Sequence, residues 1–423
     1  MLSIYPTNTP GTLHGKEGRK QALTGLQARS VKLSTSGEIA IGLAWHSTAA
    51  GNLGVGALTV GNLIAARSAA AAVGLRPRFT IIQPVTDVAG GANIVGDDVD
   101  VFNVTGKSMI SPSGYLKLLG RLDCILDIGA GDSFADIYGG KRFTYIYGTK
   151  LLANLRGVPV ILSPQTIGPF TRQPYRLLAR QAMEAADCVV ARDPQSLKAV
   201  HDLAPSARAI QSVDVAFRLP FTPPHREPGG PVEVGVNVSG LLFHARKEFG
   251  LQADYPDLMR RFIRELTSRP GVRVHLICHV TSTRVQGDDD GQVADSLAEE
   301  FPSAIRAPNF PGPSEAKSYI AGMDFLVAGR MHACIAAYSA GVPVVPIAYS
   351  RKFSGLFGDV LGYSHQVPVA GLSTDEAYAF LMERFDARAE LSQEIRKGMG
   401  VVDALLDAYD AELRRLFLKV KGR

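Results

Sequence analysis

Residues 219–231 carry five prolines (Pro220, Pro223, Pro224, Pro228, Pro231) and the pair Gly229-Gly230, a composition that sustains neither a helix nor a central strand. On either side of this break the same pattern runs: a short solid apolar segment, a polar or Gly-rich turn, then a stretch of helical length. Before it, strands are expected at 39–45, 79–83, 124–128, 158–163, 188–191 and 209–212, with helices at 57–73, 139–156 and 174–186 among them. After it, strands are expected at 232–238, 272–278, 324–328 and 342–347, with helices at 257–268, 291–300, 314–321 and 332–340. Solid rather than alternating apolar strands mark parallel sheets covered on both faces. The expected fold is α/β, two Rossmann-like domains facing a cleft. The boundaries read as an extension without periodicity over 1–36, a first domain over 37–219, a linker over 220–231 and a second domain over 232–372. Helices over 373–423 close the chain, with Val402, Leu405, Leu406, Tyr409, Leu413, Leu416, Phe417 and Val420 at helical spacing and so expected to pack back on the core.

Composition removes several classes of function. The formal net charge of +5 is spread along the chain, which suits small anions and speaks against nucleic acid. Cys124, Cys188, Cys278 and Cys334 lie far apart in apolar runs, form no CxxC pair, and read as buried thiols of a reducing compartment. The basic residues Lys16, Arg19 and Lys20 precede no signal-like apolar block, and no uninterrupted apolar run of about 18 residues appears. A cytoplasmic location is expected. The basic end (Arg414, Arg415, Lys419, Lys421, Arg423) could touch an anionic membrane, at its inner face.

Cofactor signatures are missing too. Gly51–Gly56 has Gly-x-x-Gly-x-Gly spacing, which is not the dinucleotide fingerprint, and no GxxxxGK[ST] exists. The run Asp288-Asp289-Asp290, between Gly287 and Gly291, reads as a solvated turn, so no bound metal and no resident cofactor are expected.

The most informative segment is 324–352, DFLVAGRMHACIAAYSAGVPVVPIAYSRK. A buried strand ends at Gly329, so Arg330 and His332 fall where the next helix begins. Helix N-termini favour anions, an Arg adds a planar charged fork, and a His adds a proton that moves near neutral pH. The neighbouring strand ends at Tyr349, Arg351 and Lys352. Three such groups on adjacent strand ends suggest an anion site.

This segment resembles the signature of the polysaccharide pyruvyl transferase family: Arg-x-His at a strand end, a helix, Gly-Val-Pro, then Tyr and Lys. Other pieces resemble the family in order: NLGVGALT at 52–59, DIGAGDSFAD at 127–136, SPQTIGPF at 163–170, ARDPQS at 191–196, VDVAF at 213–217, GVNVSGLL at 235–242 and ICHV at 277–280. Ala130 and Ala328 depart from it where Gly or Ser is expected.

The resemblance implies a GT-B-like fold and transfer of a pyruvyl group from phosphoenolpyruvate, a co-substrate, to two hydroxyls of a sugar. The product would be a cyclic ketal in exopolysaccharide or cell-surface glycan synthesis. It implies Arg330 and Lys352 as donor-binding, His332 as proton donor or base, and Asp132 and His279 as further catalytic candidates. Asn237 and Ser239 are candidate donor contacts, and Asn52 and Gly54 candidate contacts to donor or acceptor, the acceptor being a sugar or lipid-linked oligosaccharide. Arg192 and Asp193 read as a structural ion pair and turn. The rival readings are a GT-B glycosyltransferase using a nucleotide sugar and a non-catalytic sugar- or anion-binding protein.

Overall fold

The computed structural model describes residues 37–49, 51–85, 94–96, 98–226, 228–244, 250–281 and 287–422. The extension over 1–36 lies outside the described residues. The first domain holds seven strands: β1 (Glu38–Ala44), β2 (Arg76–Pro84), β3 (Val99–Val104), β4 (Cys124–Asp127), β5 (Val160–Gln165), β6 (Cys188–Ala191) and β7 (Ala209–Gln211). Their order is β3-β2-β1-β4-β5-β6-β7, and every pairing is parallel. The second holds β8 (Val232–Asn237), β9 (Val272–Leu276), β10 (Ile305–Arg306), β11 (Phe325–Ala328), β12 (Val344–Ala348) and β13 (Val367–Pro368), in the order β10-β9-β8-β11-β12-β13, again all parallel. Central strands such as β4, β6 and β11 are buried at every position, as their solid apolar sequences require.

Three departures from the sequence expectation have physical causes. Strand β3 was not anticipated, because VDVFNV is an edge strand with most positions turned to solvent and so carries a weak apolar signal. Strands β10 and β13 are two residues long, too short to give a pattern. The first helix, α1 (Leu53–Ala72), starts four residues before the expected 57, inside the supposed Gly-rich turn. Asn52 caps it through Oδ1, which accepts the Gly54 and Val55 amides at 3.0 and 3.3 Å.

Helix α1 is apolar enough and, at 20 residues, long enough to span a bilayer by composition, but most of it is buried inside the molecule. Two other helices matter below: α2 (Met331–Ser339), which follows β11, and α3 (Arg388–Lys421), which ends the described chain. Helix α3 straps the two domains together. Its Leu391, Ile395, Val402 and Leu406 enter the second-domain core, while Tyr409, Leu413, Leu416, Phe417 and Val420 enter the first-domain core against α1 and β1. Arg415 and Lys419 at its basic end pair with Asp187 of the first domain, which reduces the charge it can offer a membrane.

In each sheet the strand order reverses once, between β1 and β4 and between β8 and β11. Loops leaving the carboxyl ends of strands at such a switch point line the crevice where open α/β sheets bind ligands. The two switch points face each other, and the chain segments at the seam are hydrogen-bonded: Leu53 N to His279 O at 3.2 Å and Thr281 N to Gly51 O at 3.0 Å.

Candidate functional site

Five charged or titratable side chains form a row along the seam. Lys352, after β12, pairs with Asp132, after β4. Asp132 lies in the field of Arg192. Arg192 Nη1 bonds Asp214 Oδ2 at 2.7 Å, and Asp214 Oδ2 faces His332 Nε2 at 3.7 Å. The row begins and ends on the second domain, and its three middle members belong to the first.

Local structure explains each placement. The loop after β4 passes through three residues of positive φ: Gly129 (53°), Ala130 (50°) and Gly131 (88°). This conformation drops Asp132 toward the seam. Ala130, flagged above as a departure from the family pattern, adopts it at a steric cost that Gly avoids. Asp132 Oδ2 accepts the Tyr138 hydroxyl at 2.7 Å as well as the Lys352 ammonium. Burial would raise its carboxyl, but Lys352, Tyr138 and Arg192 outweigh that and hold it below the usual carboxylate range.

Arg192 closes β6, is almost fully buried, and also donates from Nε to Thr166 Oγ1 at 2.9 Å. Its ionic partner is Asp214, since Asp193 caps the following helix through Ser196 instead. The Asp214 side chain is fully buried, and its Oδ1 accepts the Ala216 amide at 2.9 Å. Burial alone would raise it; the facing His332 and the Arg192 charge reverse this and hold it at about 2.

On the second domain, Arg330 sits at the cap position of α2, which has no side-chain cap of its own. The guanidinium is already engaged. Nε reaches Asp290 Oδ1 at 3.1 Å, and Nη2 reaches Asp290 Oδ1 at 2.7 Å and Asp288 Oδ1 at 2.5 Å. The acidic run is therefore not a solvated turn. Asp290 is fully buried and also accepts the Gly240, His279 and Val280 amides. A buried carboxylate persists only when charge and donors compensate it, and Arg330 with three amides does so.

Asn237 joins this framework. Its Nδ2 donates to Ile277 O at 2.9 Å and to Asp290 Oδ2 at 3.3 Å, and its Oδ1 accepts the Arg330 amide at 3.0 Å. It positions the Arg330 turn and has no capacity visibly reserved for a donor. Ser239 is buried behind it, with its amide bonded to the Tyr255 hydroxyl and its Oγ without a partner among the described residues.

His332 is the least constrained polar group of the site. Its Nε2 is buried, with no hydrogen-bond partner among the described residues; at 3.7 Å Asp214 is an ionic neighbour only. Its Nδ1 backs onto Gly54, where a Cβ would stand 2.4 Å from that nitrogen. Gly54 is thus a close-approach position for the His332 ring, and Asn52 is the cap that starts the helix there. His279 is buried, and desolvation, aided by the neighbouring His332 and Arg330, pushes its imidazole down to about 3. Its burial thus works against the imidazolium form.

Of the nine residues singled out from sequence, the structure brings Lys352 and Asp132, and His332 and Gly54, into direct contact across the seam. Arg330, Asn237 and the backbone of His279 gather on Asp290. Sequence reasoning missed Asp214 and the partnership of Arg192. The signal for Asp214 was its place in VDVAF, three positions past the end of β7. Asp288 and Asp290 were missed because a Gly-flanked acidic run has the composition of an exposed turn.

Two all-parallel Rossmann-like domains with an ionic site between their switch points define a GT-B fold. Solved structures share it. A putative UDP-N-acetylglucosamine 2-epimerase from Listeria monocytogenes superposes with a TM-score of 0.53 at 10% identity, covering 85% of this chain and 90% of that one. A sucrose-phosphate synthase from Thermosynechococcus elongatus gives 0.54 at 12%, covering 90% and 98%. A UDP-GlcNAc 2-epimerase from Neisseria meningitidis bound to UDP-GlcNAc gives 0.53 at 10%, covering 87% and 97%. No curated protein sequence matches the chain. Within this fold the sequence is particular: the family model for polysaccharide pyruvyl transferase matches residues 74–351, and the chain belongs to that family.

Proposed function

We propose that the protein moves the pyruvyl group of phosphoenolpyruvate onto two hydroxyls of one sugar, forming a cyclic ketal and releasing phosphate. The observation that carries this reading is the Lys352–Asp132 pair across the seam, one strand away from the uncapped start of α2 and joined to His332 through Arg192 and Asp214 of the row. A compact dianion suits this place. It would take the Lys352 ammonium from Asp132 and lie against the α2 N-terminus, with Arg330 held rigidly alongside.

The chemistry balances with these groups. A proton goes to the methylene carbon of phosphoenolpyruvate, for which His332 is the carrier, and the adjacent carbon becomes an oxocarbenium-like centre. One sugar oxygen bonds to that carbon and sheds its proton, for which Asp132, freed from Lys352, is the base. Phosphate leaves with its bonding electron pair, and the second sugar oxygen takes its place. Two hydroxyl protons are lost in all; one replaces that spent on the methylene carbon and the other leaves on hydrogen phosphate. The acceptor is a sugar or lipid-linked oligosaccharide presented on the cytoplasmic side, a location that rests on the sequence alone.

The test is phosphate release from phosphoenolpyruvate with a panel of sugars and lipid-linked oligosaccharides, paired with thermal shifts. Acceptor-dependent phosphate release, and a larger shift from millimolar phosphoenolpyruvate than from UDP-, GDP- or ADP-sugars, is expected. No release with any acceptor and a larger shift from a nucleotide sugar would hand the site to glycosyl transfer.

A further inference from the structure

We infer that Asp214 is a positioning residue for His332, supplied across the seam by the first domain, and that it governs the pH range in which His332 works. This rests on the proton-carrier role proposed for His332. Nothing in the sequence of α2 provides His332 with a carboxylate; among the described residues, the one that faces its ring arrives from beyond β7 of the other domain, at 3.7 Å.

Three observations single out Asp214. Its side chain has no exposure, so it cannot touch a substrate, and any effect on the reaction must pass through a neighbour. Its orientation is over-determined, with Oδ1 on the Ala216 amide and Oδ2 on Arg192, whose own Nε is tied to Thr166. Finally, the His332 ring lies against Gly54 on its other side, and its Nε2, without a hydrogen-bond partner among the described residues, is 3.7 Å from this carboxylate. A buried carboxylate beside an imidazole favours the imidazolium and fixes the ring's orientation.

The other ionisable groups around His332 are Arg192 behind Asp214, His279, and Arg330 with Asp288 and Asp290. His279 is neutral near pH 7, Arg330 is neutralised by its own two carboxylates, and Arg192 is paired with Asp214. Asp214 is thus the neighbour whose removal changes the local charge most. Asp214 and His332 belong to different domains, and the segment after Asp214 packs into the second-domain core through Ala216, Phe217 and Leu219. The pair is therefore made by the packing of the two domains on each other and is carried by neither domain alone.

The experiment compares wild type, Asp214→Asn, His332→Ala and the double variant in pH profiles of phosphoenolpyruvate-dependent phosphate release. Asp214→Asn is expected to lower kcat about tenfold near pH 7.5 with little change in the phosphoenolpyruvate KM, and to move the alkaline limb about one pH unit toward acid. In the His332→Ala background the same change should have no further effect on kcat. Equal losses in both backgrounds, or a lower kcat with an unmoved profile, would overturn the inference and leave Asp214 as a support for Arg192 alone. Asp214→Glu keeps the charge beside Arg192 and serves if Asn does not fold: it should lower kcat and spare KM, and wild-type kcat in folded Asp214→Glu would count against the inference. A ring-nitrogen NMR titration of His332 without substrate separates the two claims. A His332 midpoint lower in Asp214→Asn than in wild type supports the coupling even if phosphoenolpyruvate is not the donor, and an identical midpoint rejects it even if phosphoenolpyruvate is.

Discussion

Arg330 and Lys352 follow neighbouring strands of one sheet and were both read from sequence as donor-binding cations, yet they are held in opposite ways. Arg330 is clamped by Asp288 and Asp290 of its own domain, with 11% of its side chain exposed. Lys352 has 30% exposure and meets Asp132 of the other domain. The first is an ion cluster wholly within one domain. The second joins the two domains, and in the function proposed above a substrate anion takes the place of Asp132. A cation that builds a site and a cation that uses it can thus sit one strand apart.

The comparison breaks if Arg330 proves dispensable. Arg330→Ala strands the fully buried Asp290 without its counter-charge, and loss of one partner of a buried pair costs about 3–5 kcal/mol of stability. Chemical denaturation checks this, and an unchanged midpoint would mean that the cluster is not what holds the turn. A donor contact alone would have left the unliganded protein as stable as wild type, so this outcome replaces that simpler expectation.

Gly54→Ala probes the seam from the other side. The added Cβ would meet His332 Nδ1 at 2.4 Å and its Cγ at 3.0 Å, so the ring must swing away. With His332 as proton carrier, kcat should fall about 10²-fold, the scale for a reacting group displaced by about 1 Å, with a smaller effect on donor KM. Wild-type kcat in a folded Gly54→Ala protein would remove His332 from that role.

Lys352→Ala sharpens the contrast with Arg330. Both members of its pair are partly exposed, so the stability change should stay within about 1 kcal/mol. The phosphoenolpyruvate KM should nevertheless rise about tenfold or more, the scale of a lost charge-assisted contact. A stability loss equal to that of Arg330→Ala would erase the distinction between them.

The smallest effect concerns acid stability, and it too differs between framework and working site. His46, in the first-domain core, is held at about 4 by desolvation, which outweighs its contacts to backbone carbonyls; His279 is held at about 3 by desolvation with His332 and Arg330. Both lie below the ordinary histidine value of about 6.5. Between these limits the unfolded chain binds protons that the folded chain refuses, so stability rises with pH and is lost as pH falls from about 6.5 toward 4. Unfolding near pH 5 should take up protons at both residues, and His279→Gln should flatten the slope of midpoint against pH. An unaltered slope would show that His279 is not neutral in the folded protein.

Much of the fold was legible because it is local. Solid apolar strands such as Cys188–Ala191, the Pro-rich break and the apolar stripe of α3 each express burial that neighbouring residues create together. Strands β10 and β13 were not legible, since two residues gain strand geometry only from the sheet they join. The same division runs through the site. Arg330, His332, Lys352 and Asp132 could be named because each follows a strand at a turn, where the chain itself dictates that a side chain meets the crevice. Their partners could not. Asp214 is 118 residues from His332 by their numbering, and Asp132 is separated from Lys352 by 220. Whether a charge in such a place is bound, clamped or free depends on what the other domain puts within a few ångströms, because electrostatic energy follows distance and burial rather than order along the chain. The sequence by itself determined two parallel α/β units and the strand-end residues that enter the space between them. The tertiary structure decided that Asp290 is a buried anchor, that Gly54 makes room for a ring, and that His332 receives its carboxylate from the other domain.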